Sequence, residues 1–305
     1  MADNWPEGTR TVGYSLRVTN ELNAKPGKVS MILADQTKSG YSDTKEQIED
    51  RFDDINLETQ QVRHEDTNYI DINQQRRWIR KPKPADAAML LGRHDKQSTK
   101  VNLEMPTEMS MARAVRRYHD DVFFPGFFGN AYVGEYGDTA VPFTPANIQA
   151  HGGAGITKAK LQSLMKLYDD NDVDTEEEMP ILLIDNQGKI DLQNIVEYAS
   201  SDWNDSHPLV RGEIKPWLGF RFVQLNMLSA RGFPSAPALV VPAAGQIALP
   251  SFVQSGLHRG VWTEFFMDKG INRSKKSQEQ MYVEACSAIT RVDEKKCFQM
   301  VCTGR

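Results

Sequence analysis

Apolar and polar positions alternate near the start of the chain. Val12, Tyr14, Leu16 and Val18 share one parity, and Thr11, Gly13, Ser15 and Arg17 share the other. A period of two predicts a half-buried strand. Lys25-Pro-Gly-Lys28 breaks the pattern, and Val29 to Leu33 is a short strand candidate. Residues 36–68 are polar, with Phe52, Ile55 and Leu57 as apolar anchors. A surface helix or a mobile arm fits that stretch better than core. Alternation returns from Tyr69 to Arg80, with Ile70, Ile72 and Trp78 on one parity, until Pro82 and Pro84 end it. Thr99 to Leu103 is the expected return strand.

The period then changes. Met111, Val115, Tyr118 and Val122 form one stripe, with Ala112, His119 and Phe123 beside it, which predicts a helix over 107–124. Thr107 and Ser110 are its candidate N-caps, and Pro125-Gly126 its stop. Phe127 to Gly155 is rich in Gly, Pro and aromatic residues and reads as ordered loop and turns. A second helix starts near Thr157 and carries Leu161, Leu164, Met165 and Tyr168. A strand over Ile181–Ile184 follows, then a third helix through Leu192, Ile195, Val196 and Ala199. Trp217 to Leu225 alternates. Ala236 to Leu249 reads as a buried strand followed by a short turn or helix. Val261–Met267, Met281–Val292 and Lys296–Cys302 are strand candidates, the last two joined by Asp293-Glu-Lys295. Strand, helix, then non-sequential strand gives an α+β fold rather than a regular βαβ array.

Composition narrows the class. In 305 residues, 40% are hydrophobic and 25% charged, which excludes wholesale disorder and allows two domains or one large one with insertions. Thirty-six basic residues against 41 acidic give a formal charge of −5, so a generally basic nucleic-acid binder is not expected. The longest apolar run, Ala236 to Ala244, is far short of the roughly 20 residues of a membrane helix. No basic segment leads into an apolar one at the N-terminus, so cytoplasmic residence is the expectation. Cys286, Cys297 and Cys302 form an odd, sparse set, expected to be reduced and half-buried. One window is locally basic: Arg76, Arg77, Arg80, Lys81, Lys83, Arg93, Lys96 and Lys100 stand against Asp86 and Asp95. A polar, basic, two-stranded excursion has no core of its own, so it either lies on something, a neighbouring subunit being one candidate, or stays a solvated flap.

No constellation of catalytic residues emerges. GxxxxGK[ST] and HExxH are absent, and the six histidines are scattered. His151-Gly-Gly-Ala-Gly155, just ahead of a helix, could hold an anion on backbone amides. It is the basis of one alternative, a soluble hydrolase, although no GxSxG elbow accompanies it. Cys297 and Cys302 lack the second pair that a zinc site needs. The acidic run 169–178 offers oxygens for Ca²⁺ but neither the glycine nor the ligand order of an EF-hand, and a solvated loop explains it. No metal, cofactor or catalytic residue is therefore expected, and the profile is that of a structural or assembly protein.

Five segments in order resemble the major capsid proteins of tailed bacteriophages, with the HK97-like fold. They are Met109 to Asp121 running into Gly126 and Gly129-Asn-Ala-Tyr132, Ile156 to Leu164, Met179 to Gln187, Arg211 to Phe222, and Ser287 to Cys302. The resemblance implies an N-terminal arm (1–48), an extended E-loop hairpin (49–104), a peripheral domain of spine helix and sheet (105–148 and 257–305) and an axial domain (149–256). It implies hexamers and pentamers in an icosahedral head around double-stranded DNA, assembled in the host cytoplasm with a separate scaffolding protein and a portal. A decoration protein is a further possible partner, and an encapsulin-like compartment shell is the alternative on the same fold. Phe52, Arg76, Arg77, Trp78, Arg80 and Lys81 are then the candidate inter-subunit contacts, since Trp and Arg are enriched among interface hot spots.

Overall fold

The computed structural model describes residues 19–23, 27–39, 44–48, 51–52, 74–92, 97–98, 103–199 and 214–304, and the strand expected over 12–18 lies outside them. The described elements run in chain order as follows. Helix α1 (Lys28–Ile32) precedes strands β1 (Thr37–Ser39), β2 (Lys45–Gln47), β3 (Arg51–Phe52), β4 (Gln74–Gln75), β5 (Arg77–Arg80) and β6 (Ala85–Leu91). Helices α2 (Glu104–Asp121) and α3 (Phe123–Phe128) are followed by β7 (Ala131–Val133), β8 (Thr139–Val141) and β9 (Ile148–Gln149). Next come α4 (Lys158–Asp170), β10 (Ile181–Ile184), α5 (Asn186–Asn194), α6 (Val196–Ala199), β11 (Arg221–Gln224) and α7 (Ala236–Val240). The chain closes with β12 (Gln246–Phe252), β13 (Leu257–Asn272), β14 (Gln278–Arg291) and β15 (Cys297–Thr303).

Three larger sheets organise these strands, in the orders β1-β13-β14-β6, β11-β10-β12-β15-β9 and β2-β5-β7-β8. The apolar stripe of α2 explains the first. Met111, Ala112 and Val115 pack on Met267, Met281, Val283, Ala285 and Leu91, all on one face of the β6-β13-β14 sheet. The second sheet is the main core. Ile181 to Ile184 are buried on both faces, so the strand reads as a continuous apolar run rather than an alternation. Phe123, Phe124 and Phe127 of α3 join that core, Phe123 and Phe127 stacking on each other, tilted against Phe252, and Phe124 edge-on to Phe233. Each buried phenylalanine contributes about 1.5–3 kcal/mol. Cys297–Thr303, expected with the peripheral segment, pairs with β12 and β9 inside this sheet.

Several local expectations are corrected, each for a physical reason. Residues 28–32 form a helix rather than a strand. Its first amides, Lys28, Val29 and Ser30, donate to the Asp120 carboxylate at 3.0–3.1 Å, a cap supplied from α2. Described parts of 36–52 are short strands, not helix. Helix α2 begins at Glu104, and neither Thr107 nor Ser110 caps it. Thr107 Oγ1 instead donates to the Leu103 carbonyl at 2.7 Å. Pro125-Gly126 does not stop the helical path but sits inside α3. The break falls at Val122, and α3 ends where the Arg291 guanidinium donates to the Phe127 and Gly129 carbonyls. A Cβ at Gly126 would overlap the Ile289 backbone, so glycine allows α3 to lie directly on β14. The third helix is two, α5 and α6, and the 217–225 alternation shortens to β11. Helix precedes strand in 236–252, the reverse of the expectation, because Pro237 suits a first helical turn. All three cysteines are free and fully buried rather than half-buried. Burial raises their thiol pKa, to about 11 at Cys302.

Candidate subunit interface

Most of the expected hairpin between 69–80 and 99–103 lies outside the described residues, and its described strand β5 pairs with β2 and β7. Residues 99–102 lie outside the described residues, and Leu103 precedes α2. The partner of β5 comes earlier in the chain. Lys45 faces Arg80 and Gln47 faces Trp78, then Arg51 faces Gln75 and Phe52 faces Gln74. The two ladders are out of step by one residue, so segments 45–52 and 74–80 pair antiparallel with an irregularity between the ladders. Next to them, β5 also pairs with β7. Among the described residues, β3 and β4 pair only with each other. Such a two-stranded ribbon is marginal in water without another surface.

Side chains lock the base. Arg77 is 2% exposed, and its guanidinium takes both oxygens of Glu294, one at 2.8 Å, in a fork-to-fork pair. Trp78 Nε1 donates to the Gly134 carbonyl at 2.7 Å. The Arg80 guanidinium lies 3.5 Å from the centre of the Tyr132 ring and donates to Gly137 at 2.7 Å. Lys45 donates to Asp138 at 2.7 Å and holds that exposed carboxyl below its ordinary pKa.

The six sequence candidates therefore divide. Arg77 is committed to Glu294 of its own chain, and Trp78 and Arg80 are half-buried against β7 and the turn after it. Arg76 and Lys81 stay exposed. Phe52 lies on β3, opposite Gln74 of β4. Sequence reasoning missed Glu294, Asp138 and Tyr132, which carry no pattern of their own until the fold brings them to β5.

A second surface lies on β6-β13-β14. Register places Leu90, Gln280 and Gly270 in one row, Ala88, Tyr282 and Asp268 in the next, and Asp86, Glu284 and Phe266 in a third. These positions share one face, opposite the one that α2 covers. Phe266 is 54% and Leu90 42% exposed. Three carboxylates and no Lys or Arg occupy the nine positions, and none of the three is in an ion pair among the described residues.

Behind this sheet, the end of α2 is a polar joint. His119 bonds β13 and β14, Asp120 caps α1, and Asp121 accepts the Ser235 amide at 3.0 Å just ahead of α7. All three are buried. Burial pushes the Asp120 carboxyl pKa up, against the lowering by the Ser30, Lys28 and Val29 amides.

The other candidate chemistry is absorbed by structure. His151 bonds Thr303 Oγ1 at 3.1 Å and accepts the Gly153 amide at 3.2 Å. The nearby Lys160 ammonium donates to the Ala154 and Val301 carbonyls rather than standing free over the glycine loop. In the acidic run, Asp174 accepts the amides of Glu176 and Glu177 and folds a local turn. Among the described residues, no three His, Cys, Asp or Glu side chains gather as metal ligands, and no helix is long and apolar enough to cross a membrane.

A long helix on one face of a bulged hairpin sheet, a second mixed sheet carrying the main core, and a two-stranded ribbon define an HK97-like capsid fold. Solved structures share it at low sequence identity. The cyanophage Pam1 capsid matches with a TM-score of 0.68 and 9% identity, over 89% of this chain and 92% of that one. The bacteriophage PhiM1 mature capsid matches at 0.63 and 9%, over 90% and 87%. A virus-like particle from Pyrococcus furiosus matches at 0.55 and 8%, over 96% and 99%. A family model described as phage capsid protein matches residues 33–304, and the chain belongs to that family. No curated protein sequence matches it. It is a structural protein of the phage capsid shell, with its place in the virion.

Proposed function

We propose that this chain is the major capsid protein of a tailed phage, assembling as hexamers and pentamers into an icosahedral head that encloses double-stranded DNA. Residues 45–80 are its E-loop and lie across a neighbouring subunit. The observation that carries this reading is the ribbon β3-β4, which has no third strand among the described residues, on a base locked by Arg77 and Glu294. A firm base on a ribbon that needs a second surface suits a heterologous contact that closes under symmetry. The open acidic face with Phe266 and Leu90 offers a complementary landing area for exposed Arg76 and Lys81.

In this reading residues 1–44 form the arm. The peripheral part comprises 105–148 with 257–292, and the axial part 149–256 together with β15. Assembly occurs in the host cytoplasm around a separate scaffolding protein, with a portal at one vertex and a decoration protein as an optional addition. DNA is confined rather than read, which agrees with the net charge of −5.

Electron microscopy of the chain co-expressed with its neighbouring genes tests the proposal. Closed polyhedral shells, lost when residues 53–73 are replaced by a short turn, are the expected result. Small discrete oligomers of folded chain would overturn it. Shells filled with a cargo protein instead of DNA would favour the compartment reading, to which the likeness to the Pyrococcus furiosus particle is equally compatible.

A further inference from the structure

Strand β13 is irregular at one place. Its pairing with β14 shifts between Val261 and Thr263 and again between Thr263 and Phe266. Regular ladders flank the shift, Leu257–Val261 against Ser287–Arg291 and Phe266–Asn272 against Gln278–Glu284. Such a shift bends a strand and takes backbone groups out of the ladder. The Glu264 carbonyl is in this stretch, and His119 Nε2 lies 2.8 Å from it. Nδ1 of the same ring lies 2.9 Å from Ser287 Oγ on β14. A carbonyl only accepts, so Nε2 carries the proton and Nδ1 takes the hydroxyl proton. The neutral ring thus ties α2 to the irregular stretch and to the strand beside it. It is 6% exposed.

We propose that His119 is an acid-sensitive latch. Its neutral ring pins residues 261–266 to α2, and protonation frees the distal ladder, 266–284, to pivot on that stretch. A protonated ring donates from both nitrogens. Ser287 can turn to accept, but among the described residues neither nitrogen bonds a carboxylate. From β13 the ring faces the Glu264 backbone and the buried Arg259, which in turn interacts with the Glu264 and Asp120 carboxylates, and from β14 it faces Ser287. On its own helix, the Tyr118 ring is 5.5 Å away, and the Asp120 carboxylate is turned to residues 28–30. Burial, and then Arg259, lower the His119 pKa from 6.5 to about 4. The sign follows: the docked state disfavours the proton, so the latch holds fully above 6.5 and weakens as pH falls toward about 4. Asp120 works the other way. Its raised pKa means that the docked state favours its proton, so acid opening cannot come from that carboxyl.

Hydrogen exchange of the full-length chain, corrected for intrinsic rates, tests the latch. From about pH 8 to about pH 5, amides in 261–266 and 281–287 lose about 30-fold protection in the wild type. They stay flat in His119→Gln, whose amide still donates and accepts but does not titrate. Unchanged wild-type protection would overturn the proposal, as would a parallel loss in the glutamine variant. If that variant fails to fold, a ring-proton NMR titration of the wild type decides. A His119 midpoint near 4, with protection falling from about pH 6.5 down to that midpoint, supports the latch, and a midpoint near 6.5 sinks it. The test does not depend on shell formation.

Discussion

Two buried polar side chains show how much single residues carry. Asp120 satisfies three orphan amides of α1 across about 90 positions of sequence. Asp120→Ala is expected to cost about 1–3 kcal/mol in denaturant unfolding, with faster exchange of residues 28–32. Asp120→Asn, whose amide oxygen still accepts, costs less. Unchanged stability in the alanine variant would mean that α1 is held by Val29 and Leu33 alone. Arg77 is the second case. Arg77→Ala removes both guanidinium hydrogen bonds from the Glu294 carboxylate, 14% exposed, and a loss of about 3 kcal/mol is expected. Neither role is visible in the sequence. An Asp at a polar helix end and an Arg in a basic window carry no sign of the backbone or carboxylate they will meet.

At the scale of elements, period and packing decided different things. Stripes at helical spacing located α2 and α4, and Thr157 does cap α4 through the Lys160 amide. Partnership was not legible. The strand Arg77–Arg80 was expected from its alternation, yet its partner lies upstream, since pairing register depends on non-local contacts. Close approach was equally hidden. Gly126→Ala should cost about 3 kcal/mol or leave the chain insoluble, because the new methyl meets the β14 backbone. Gly245→Ala is the control. It carries only the strain of φ +75° with nothing within 4 Å, about 1–2 kcal/mol. Equal losses in thermal unfolding would mean that α3 can move off β14.

For the whole molecule, the open question is how the exposed charges are used. Each surface pair adds only about 0–1 kcal/mol, but a shell repeats every contact in each subunit. Reversing Asp86 and Asp268 to Lys, or Arg76 and Lys81 to Glu, is expected to lower shell yield several-fold in sedimentation. Combining the two reversals should restore part of that yield. Independent, additive losses would show that the hairpin lands elsewhere, with the capsid role intact.

The sequence by itself determined the class of this protein and those helices and strands that carry a clear apolar period. Apolar period and the order of segments are local properties of the chain, and both survive in the fold. Tertiary structure alone decided which strands pair, where α1 comes from, why Pro125-Gly126 continues a helix, and which cations remain exposed. Those outcomes rest on contacts between residues far apart in sequence. A carboxylate, a carbonyl or a glycine acquires its role there only when another element arrives within hydrogen-bonding or van der Waals distance.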